Sequence, residues 1–421
     1  MAQIRPFRAW RYQDALGQRI STLISPPLDT ISDKQRSALY QQPYNSIHLA
    51  APPSSERAAL TLRHWKAEGI LLQDREPALY GYYQYFKRPN EEQERCRKGF
   101  ICFIEAHEWS QRVVLRHEDT LPSFVEDRVA LLTATQLNAS PTHGLYTDPS
   151  RQLEKIMDAS MSQPVYQVED YQGGRNTLSM IHDPSLIRQF ADILRSKPII
   201  LADGHHRYES SLIYRRRCEG ATRTHRKPGC RYHMMYLTNT EAEDLRILPT
   251  HRLIRGLAAL NKEWLMQKVE QYFRVQPVEN ASDIPEVIEG KHWAFGLLIG
   301  DDSYKIRLKP EVFSSYKGTS AMTVEAVDTA VLHHFFIDLV LGIPRAEQRR
   351  SDQILYERSL AHCYHRLARQ EVQIALITQG VSMEQIKQVS YSGQTMPQKS
   401  TYFYPKAVAG LVFGSINDDE L

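Results

Sequence analysis

The pattern of apolar and polar positions predicts helices and strands that alternate along the chain. Residues 54–70 carry apolar side chains at helical spacing and are expected to form an amphipathic helix. Segments 79–86 and 98–104 are rich in aromatic and β-branched residues and are expected to be strands, joined across the polar residues 87–97 as in a long hairpin. The apolar positions of the helix are Leu60, Leu62, Trp65 and Ile70.

The middle of the chain combines a helix with a strand that runs into a second helix. Residues 126–138 show helical spacing, and Pro141 must stop that helix because the residue before a proline disfavours helical geometry. Residues 198–202 have the pattern of a short buried strand. Asp203 is then expected to cap a helix that ends near Gly220.

Later segments complete a mixed architecture. Residues 232–238 are expected to form another strand, and helices and strands alternate from about residue 260 onward. Residues 324–343 are the strongest helical region, and residues 400–413 are too aromatic to be a loose end. The chain is therefore expected to be an α/β protein, with α+β as the alternative, built on mixed sheets.

The length of 421 residues favours more than one domain, because a single core of ordinary size cannot organise so long a chain. We predict a turn-rich and helical N-terminal segment over residues 1–90 and a phosphate-binding core over 91–260. An α/β segment over 261–421 is expected to pack on that core.

Composition and charge narrow the class of protein. Lys and Arg total 52 against 49 Asp and Glu, and this net charge of +3 gives no case for nucleic acid as the main partner. Residues 330–343 form the longest apolar run near the C-terminus, but two histidines and an aspartate interrupt it, so it predicts a buried helix rather than a membrane span. The N-terminus shows no secretory signal. The five cysteines lack CxxC spacing, which fits a reducing compartment and a cytoplasmic location.

Residues 201–207, LADGHHR, are the clearest candidate for chemistry. A strand runs into a helix start here, where free backbone N–H groups and the helix dipole attract an anion. Gly204 lets a phosphate approach the backbone, and Arg207 can bind two phosphate oxygens at once. Cations at a helix N-terminus are unfavourable unless an anion meets them. His205, His206 and Arg207 therefore predict a phosphate-binding turn.

Two other interpretations of this turn stay open. One is an Asp cap followed by surface histidines that happen to be adjacent. The other is a zinc site, which is weaker because neighbouring helical residues diverge by about 100° and no partner follows at the spacing that zinc ligands use.

Carboxylates and cations also cluster in segments 116–120 (RHEDT), 126–128 (EDR) and 138–141 (NASP). In a phosphoryl-transfer site one carboxylate accepts the acceptor's hydroxyl proton and another holds Mg²⁺. A capping and salt-bridge cluster at the helix ends explains the same residues equally well. Lys399, in a polar turn beside Ser400 and Thr401, is a further candidate phosphate contact.

Several of these motifs together resemble one large bacterial and archaeal family catalogued as a domain of unknown function. The resemblance covers nearly the whole chain. Leu28 departs from it, because the family usually has tyrosine before the aspartate. The motifs are PPLDTIS at 26–32, PYNSIHL at 43–49, HEDT at 117–120, EDRVALLTATQLNASP at 126–141, ADGHHRYE at 202–209, LPTHR at 248–252 and MPQKSTYFYPK at 396–406.

The DGHHR signature is similar to the phosphate-binding turn of the superfamily that contains ParB proteins, sulfiredoxins and free serine kinases, and it is closest to the kinase form. Sulfiredoxin's catalytic cysteine is absent, since Gly204 precedes His205. The resemblance implies a ParB/sulfiredoxin-like core and a kinase that uses ATP or ADP with Mg²⁺ to phosphorylate a free hydroxy amino acid such as L-serine.

The resemblance and the clustering of polar residues together suggest three groups of site residues. The expected catalytic residues are Glu118 as general base, Asp203, which also orients the acceptor or holds Mg²⁺, and His206. The expected phosphate or nucleotide contacts are Gly204, His205, His206, Arg207, Arg128, Asn138 and Lys399. The expected substrate contacts are Asp29, Asn45, His117 and Asp127.

Two other functions remain alternatives. A non-catalytic regulatory protein could use nucleotide binding as a switch, as ParB does with CTP. A metal-dependent hydrolase could use the histidines. The expected partners are thus a nucleotide and a small-molecule acceptor, with no membrane.

Overall fold

The computed structural model describes residues 1–27, 30–87, 92–221, 228–242, 244–258, 260–316 and 327–421. The described chain forms two compact units. The first comprises Met1–Arg116, Thr120–Arg246 and Pro405–Leu421, and the second comprises His117–Asp119 and Ile247–Tyr404. Both combine helices with β-sheet, so the expected mixed α/β class is confirmed. The predicted division into three contiguous segments stays a prediction.

The first unit is built on a nine-stranded sheet. Most neighbouring strands are antiparallel, but Ile199–Asp203 pairs in parallel with Val114–Leu115, and Tyr232–Asn239 pairs in parallel with Thr142–Tyr146. The sheet is therefore mixed, as expected. Across the sheet the strands follow the order Val114–Leu115, Ile199–Asp203, Thr142–Tyr146, Tyr232–Asn239, Arg95–Glu105, Leu79–Phe86, Arg175–Ile181 and Tyr166–Glu169, with Ile4–Arg5 paired to Arg95–Glu105.

The two faces of this sheet bury different apolar cores, because successive side chains of a strand point to opposite faces. In Arg95–Glu105, Ile101 and Phe103 belong to one buried cluster, whereas Phe100 and Cys102 belong to the other. This double burial explains why the strand segments are so rich in apolar residues.

Helices of the first unit cover the sheet. The predicted helix over 54–70 is observed as Ser55–Ala67; Leu62 and Trp65 are buried as expected, but Leu60 is 56% exposed. The predicted helix over 126–138 begins earlier, at Pro122, because proline fits the first turn of a helix. The helices are Asp14–Gly17, Ile20–Leu23, Asp33–Tyr40, Ile47–Ala50, Ser55–Ala67, Pro122–Thr135, Gln152–Ser160, Pro184–Arg195 and His205–Ala221.

The C-terminal segment Pro405–Leu421 belongs to the first unit. Phe413 exchanges two backbone hydrogen bonds with Trp10, at 2.9 and 3.0 Å. Glu420 accepts from the indole of Trp10 at 2.9 Å and from Lys66 at 2.6 Å. The prediction that residues 400–413 are not a loose end is confirmed, since Phe413 is fully buried.

The second unit contains a six-stranded antiparallel sheet. Its order is Phe273–Pro277, Asp302–Leu308, Ala294–Ile299, Ile374–Ile377, His251–Ile254 and Ile354–Glu357. Its helices are Lys262–Tyr272, Ile284–Ile288, Pro310–Tyr316, Asp328–Val331, Leu332–Val340, Arg345–Gln348, Leu360–Ala368 and Met383–Ser392. The segment Leu332–Val340 is a π-helix with a mostly buried surface, as the interrupted apolar run predicts.

Candidate functional site

The LADGHHR segment forms the expected strand, turn and helix. The strand Ile199–Asp203 ends at the turn and the helix begins at His205. Gly204 has φ of +89°, a conformation that L side chains rarely adopt. A Cβ at this position would lie 2.6 Å from Thr142 Cγ2 and 2.9 Å from Arg207 Nη2. Both the backbone conformation and the close packing therefore require glycine here.

The side chain of Asp203 binds two cations, whereas the sequence predicted that it would cap the following helix. Its Oδ2 accepts a hydrogen bond from Arg207 Nη2 at 2.8 Å, and its Oδ1 accepts from Lys406 Nζ. Burial alone would raise the pKa of Asp203, but Lys406 and Arg207 hold this pKa well below its usual range. Gly204 occupies the cap position directly before the first helical residue, His205. Asp203 lies one residue earlier, so the prediction that Asp203 caps this helix is wrong.

Arg207 reaches back from the helix to the segment that follows the Pro122–Thr135 helix. Its Nη1 donates to Ser140 Oγ and to the backbone oxygen of Pro141, both at 2.8 Å. The NASP motif and the DGHHR motif are thus joined directly by one guanidinium group.

A pocket lies beside this contact; apolar atoms make up most of its surface, and its polar residues include Arg128, Asn138, Ser140 and Arg207. Arg128 donates to the backbone oxygen of Ala50 at 2.8 Å. Burial lowers the pKa of Arg128, and Arg207 adds to this effect while Asp127 opposes it. Because Arg207 disfavours the charge on Arg128, an anion beside the two guanidinium groups is stabilising. The pocket brings together three of the expected phosphate contacts.

The two histidines of the turn lie in different surroundings. His205 is buried, whereas His206 is only partly buried and faces the start of the Pro122–Thr135 helix. The Nε2 atom of His206 accepts a hydrogen bond from the backbone N–H of Leu121 at 3.0 Å, and the ring meets Phe124 edge-on at 5.6 Å. An accepting Nε2 requires the neutral ring, with its proton on Nδ1.

Two buried histidines, His143 and His233, were missed from the sequence. His233 bonds to Thr142 Oγ1 at 2.9 Å and to Ser211 Oγ at 2.7 Å. Burial, together with the nearby Arg207, lowers the pKa of His233 to about 3. His143 bonds to Thr238 Oγ1 at 2.7 Å. Both rings therefore stay neutral in the folded protein.

Lys406 is a further site residue that was missed, although it lies in the MPQKSTYFYPK motif. Of the two lysines in that motif, Lys399 was expected to contact phosphate. The structure places Lys406 on Asp203, with its side chain only 9% exposed. The motif indicated that a lysine of this segment contributes to the site, but which lysine does so depends on the fold.

A second cluster lies in the second unit, where the HEDT and MPQKST motifs meet. Glu118 Oε1 accepts hydrogen bonds from the backbone N–H and the hydroxyl of Thr401, both at 2.9 Å. Its Oε2 accepts from the backbone N–H of Lys399 at 3.2 Å. Because the Thr401 hydroxyl donates to Glu118, His117 Nε2 donates to that hydroxyl, at 2.8 Å. Three of the expected site residues, His117, Glu118 and Lys399, are therefore neighbours.

The remaining expected substrate contacts have separate surroundings. Asn45 is buried; its amide donates to Thr22 O and Ile24 O at 2.8 and 3.0 Å, and its Oδ1 accepts from Ile47 N–H at 3.0 Å. The side chain of Asp127 is 69% exposed and lies 3.5 Å from Arg128 Nε. Asp29 lies outside the described residues.

The donor set around Asp203 does not fit the expected Mg²⁺. Both carboxylate oxygens of Asp203 accept hydrogen bonds from cationic side chains. These cations already neutralise the negative charge that would attract Mg²⁺. Within the described ranges, no group of three His, Cys, Asp or Glu side chains is placed to hold a metal ion. The backbone turn and the two arginines fit a phosphate instead.

These features define a mixed α/β protein with a glycine turn between the strand Ile199–Asp203, the second strand of its larger sheet, and a helix. The family described as "Protein of unknown function (DUF1015)" matches residues 4–330, and the chain belongs to this family. The expected family resemblance is confirmed. No curated protein matches the chain. Among the helices described, none has both the length and the apolar character to cross a bilayer.

Comparison with solved structures gives similarities at low identity. A conserved hypothetical protein from Pyrococcus furiosus is 12% identical, with a TM-score of 0.40, over 76% of this chain and 97% of that chain. A free serine kinase variant in complex with AMP has the same identity and TM-score, over 76% and 93%. A free serine kinase variant in complex with ADP is 12% identical, with a TM-score of 0.39, over 80% and 99%.

Proposed function

We propose that the protein is a nucleotide-dependent kinase that phosphorylates a free hydroxy amino acid such as L-serine. The observation that carries this proposal is the glycine turn between Asp203 and the His205–Ala221 helix, beside a pocket lined by Arg128 and Arg207. A helix start combined with two guanidinium groups is a chemistry suited to nucleotide phosphates.

The nucleotide phosphates bind at this turn. Gly204 adds no side chain at the start of the helix, and Arg207 and Arg128 supply charge from one side of the pocket. Asn138 adds a neutral amide, which can donate to a phosphate oxygen. Phosphoryl transfer asks chiefly for positioning and for stabilisation of the charge on the transferred group, and these residues supply both.

Transfer needs a group that accepts the acceptor's proton. The hydroxyl oxygen of the acceptor attacks the terminal phosphorus of ATP or ADP, the bond to the bridging oxygen breaks, and ADP or AMP leaves. The hydroxyl proton passes to a carboxylate, and we assign this role to Glu118 on the motif resemblance. Asp203, ionised and fixed by Arg207 and Lys406, orients the acceptor. The proposal routes no step through a metal ion.

We place the protein in the cytoplasm, without a nucleic-acid partner. All five cysteines are free thiols, and burial raises the pKa of Cys96 to about 11 and that of Cys363 to about 12. Thiols with raised pKa values are poor nucleophiles, which supports a structural role in a reducing compartment.

The test is phosphate transfer from ATP, and separately from ADP, each labelled at its terminal phosphate, to a panel of free hydroxy amino acids. The variants are Arg207→Met and Asp203→Asn, and the matched control is Arg188→Met, which removes an exposed arginine from the Pro184–Arg195 helix. We expect labelled phosphoamino acid from the wild type and the control, and a loss of at least about tenfold in both site variants.

Two other results would contradict the proposed kinase activity. If nucleotide binds with an affinity that depends on Arg207 but no acceptor is labelled, the phosphate site stands and the protein is a nucleotide-binding switch. If nucleotide binding is equal in the wild type and Arg207→Met, the phosphate site itself is wrong.

A further inference from the structure

Arg97 is a fully buried arginine without a carboxylate partner among the described residues. Its Nη2 donates to Gln84 Oε1, a neutral oxygen. Its Nε and Nη1 atoms are buried and make no hydrogen bond within the described part of the chain. Leaving a guanidinium charge in a protein interior with one neutral acceptor is costly, because the charge has lost its water.

The register of the sheet places Arg97 in a row of polar side chains. Gln84 lies directly opposite Arg97 on the next strand, and Asn176 lies directly opposite Gln84 on the strand beyond. Directly opposed residues point to the same face, so the three side chains form one row. The amide of Gln84 donates to Asn176 Oδ1 at 3.3 Å.

The same face of the sheet carries Asp203. Asp203 lies opposite His143, and His143 lies opposite Tyr236. The guanidinium carbon of Arg97 is 5.4 Å from the centre of the Tyr236 ring. Burial holds the pKa of His143 well below its ordinary value, and Arg97 adds to this effect. Arg97 therefore lies within electrostatic reach of the residues that surround Asp203.

Lys406 connects the two ends of this face. Its backbone oxygen accepts a hydrogen bond from Gln84 Nε2 at 3.0 Å, while its Nζ binds Asp203 Oδ1. One residue thus touches both the partner of Arg97 and the carboxylate of the turn.

The charges on this face do not balance. Lys406 and Arg207 share the carboxylate of Asp203, whereas Arg97 has no carboxylate partner among the described residues. His143 contributes no charge, because burial keeps it neutral. The nearest acid at the other end of the row, Asp170, accepts from Asn176 Nδ2 at 2.9 Å and forms no ion pair with Arg97 among the described residues. An anion bound at Arg97 would neutralise the guanidinium that has no acidic partner among the described residues.

We propose that Arg97 binds the carboxylate of the small-molecule acceptor. The acceptor is then a hydroxy acid or amino acid with a free carboxylate, and an alcohol that lacks one is a poor substrate. This inference rests on the proposed kinase function and names its substrate class.

The surroundings of Arg97 favour a carboxylate over a nucleotide phosphate. The donors suited to phosphate are gathered elsewhere, at the Gly204 turn and in the pocket of Arg128 and Arg207. Arg97 is buried among amide and phenol groups, and such surroundings favour a small anion with one charge over a bulky, multiply charged phosphate chain.

The experiment compares Arg97→Met with the wild type and with Arg175→Met. Arg175 is a matched control, because it lies on the strand next to Gln84 but is 38% exposed and pairs with Glu94 at 2.9 Å. Binding of L-serine, of its alcohol analogue serinol and of ADP is measured by calorimetry on the full chain, and phosphate transfer to L-serine and serinol is measured in parallel.

We expect L-serine to bind the wild type and the control at least about tenfold more tightly than it binds Arg97→Met, with ADP affinity unchanged in all three. The Arg97→Met protein should unfold at a temperature no lower than the wild type without ligand, because the substitution removes an uncompensated buried charge. A purely structural arginine would instead lower the unfolding temperature.

Other results separate the two proposals. Loss of ADP affinity in Arg97→Met, or equal binding of L-serine and serinol to the wild type, overturns the carboxylate site. If L-serine and related carboxylates bind in an Arg97-dependent way but no phosphate is transferred, the kinase proposal fails while the carboxylate site stands.

Discussion

Lys406 binds the carboxylate of Asp203 from a position 203 residues further along the chain. The same carboxylate also accepts from Arg207, only four residues away on the adjoining helix. A local cation and a distant cation therefore fix one acid at the end of the strand Ile199–Asp203. This arrangement ties the conformation of the glycine turn to the last segment of the chain.

We expect Lys406→Met to lower the free energy of unfolding by about 2 kcal/mol at neutral pH, less than for a fully buried pair because Asp203 is 22% exposed. Asp203 has a lowered pKa in the folded protein. The contribution of the pair is therefore complete above the ordinary pKa of an aspartate and is lost as the pH falls through the lower folded value. Urea denaturation at about pH 7 measures the contribution of the pair, and the same measurement at about pH 3 shows the first part of its loss.

The matched control for this pair is Lys262→Met, which removes the cation of the exposed pair with Asp302, where the two side chains are 45% and 48% exposed. We expect no measurable change in the free energy of unfolding, because water screens an exposed ion pair. An equal loss in the two variants at neutral pH would contradict the special role given to Lys406.

We expect Gly204→Ala to destabilise the protein by roughly 1–3 kcal/mol, because alanine must adopt a left-handed φ and its Cβ meets Thr142. Nucleotide affinity should fall with it. Gly220→Ala in the same helix is the control, since a Cβ there meets nothing within 4 Å, and it should stabilise by about 0.5–1 kcal/mol. Thermal unfolding with and without ADP measures both. Unchanged nucleotide affinity in Gly204→Ala would remove the turn from the phosphate site.

His233 should make the protein sensitive to acid. Its pKa falls to about 3 in the folded protein, whereas an unfolded histidine titrates near its ordinary value. Between these two values the unfolded chain binds the extra proton, so the free energy of unfolding decreases as the pH falls. From about pH 7 to about pH 5 this one group accounts for about 2 kcal/mol.

His233→Gln should reduce that pH dependence by the same amount, as measured by urea denaturation at the two pH values. His182→Gln, at an exposed position, should leave it unchanged. A His233→Gln protein with the full pH dependence of the wild type would show that other groups carry it.

Glu118→Gln should separate a catalytic from a structural role. If Glu118 is the general base, kcat falls by about 10²–10⁴-fold while the nucleotide Kd stays the same. Thr401→Val removes the hydroxyl that donates to Glu118 but keeps the carboxylate, so it should lower stability and leave most of the activity. Equal losses of kcat in the two variants would mean that Glu118 only holds the turn at Lys399–Thr401 in place.

Local features of the fold could be predicted from the sequence because local patterns determine them. The strand Leu79–Phe86 was predicted with its observed bounds, since its apolar and aromatic residues stand between polar segments. The start of the Pro122–Thr135 helix was placed too late, because its first turn contains exposed residues that do not follow the apolar spacing.

The candidate site could be predicted only in part. The glycine turn is a local motif, and its helix start and its positive φ follow from a few adjacent residues. The contacts of Arg97, His143 and Lys406 depend on which strands are neighbours and on their register, and neither can be read from spacing along one chain. The sequence alone does not distinguish a buried arginine in a strand from an exposed one.

Pro405–Leu421 belongs to the first unit, although the residues just before it form the second unit. This order affects when the first unit can fold during synthesis. A ribosome delivers the glycine turn and most of the nine-stranded sheet well before it delivers Lys406 and Phe413. The family match ends at residue 330, so a chain cut at that border lacks the lysine that binds Asp203 and the strand partner of Trp10. The first unit can therefore close only after the residues up to Phe413 have left the exit tunnel. Until then Asp203 has Arg207 as its cation, and the glycine turn gains Lys406 only after the second unit has been synthesised.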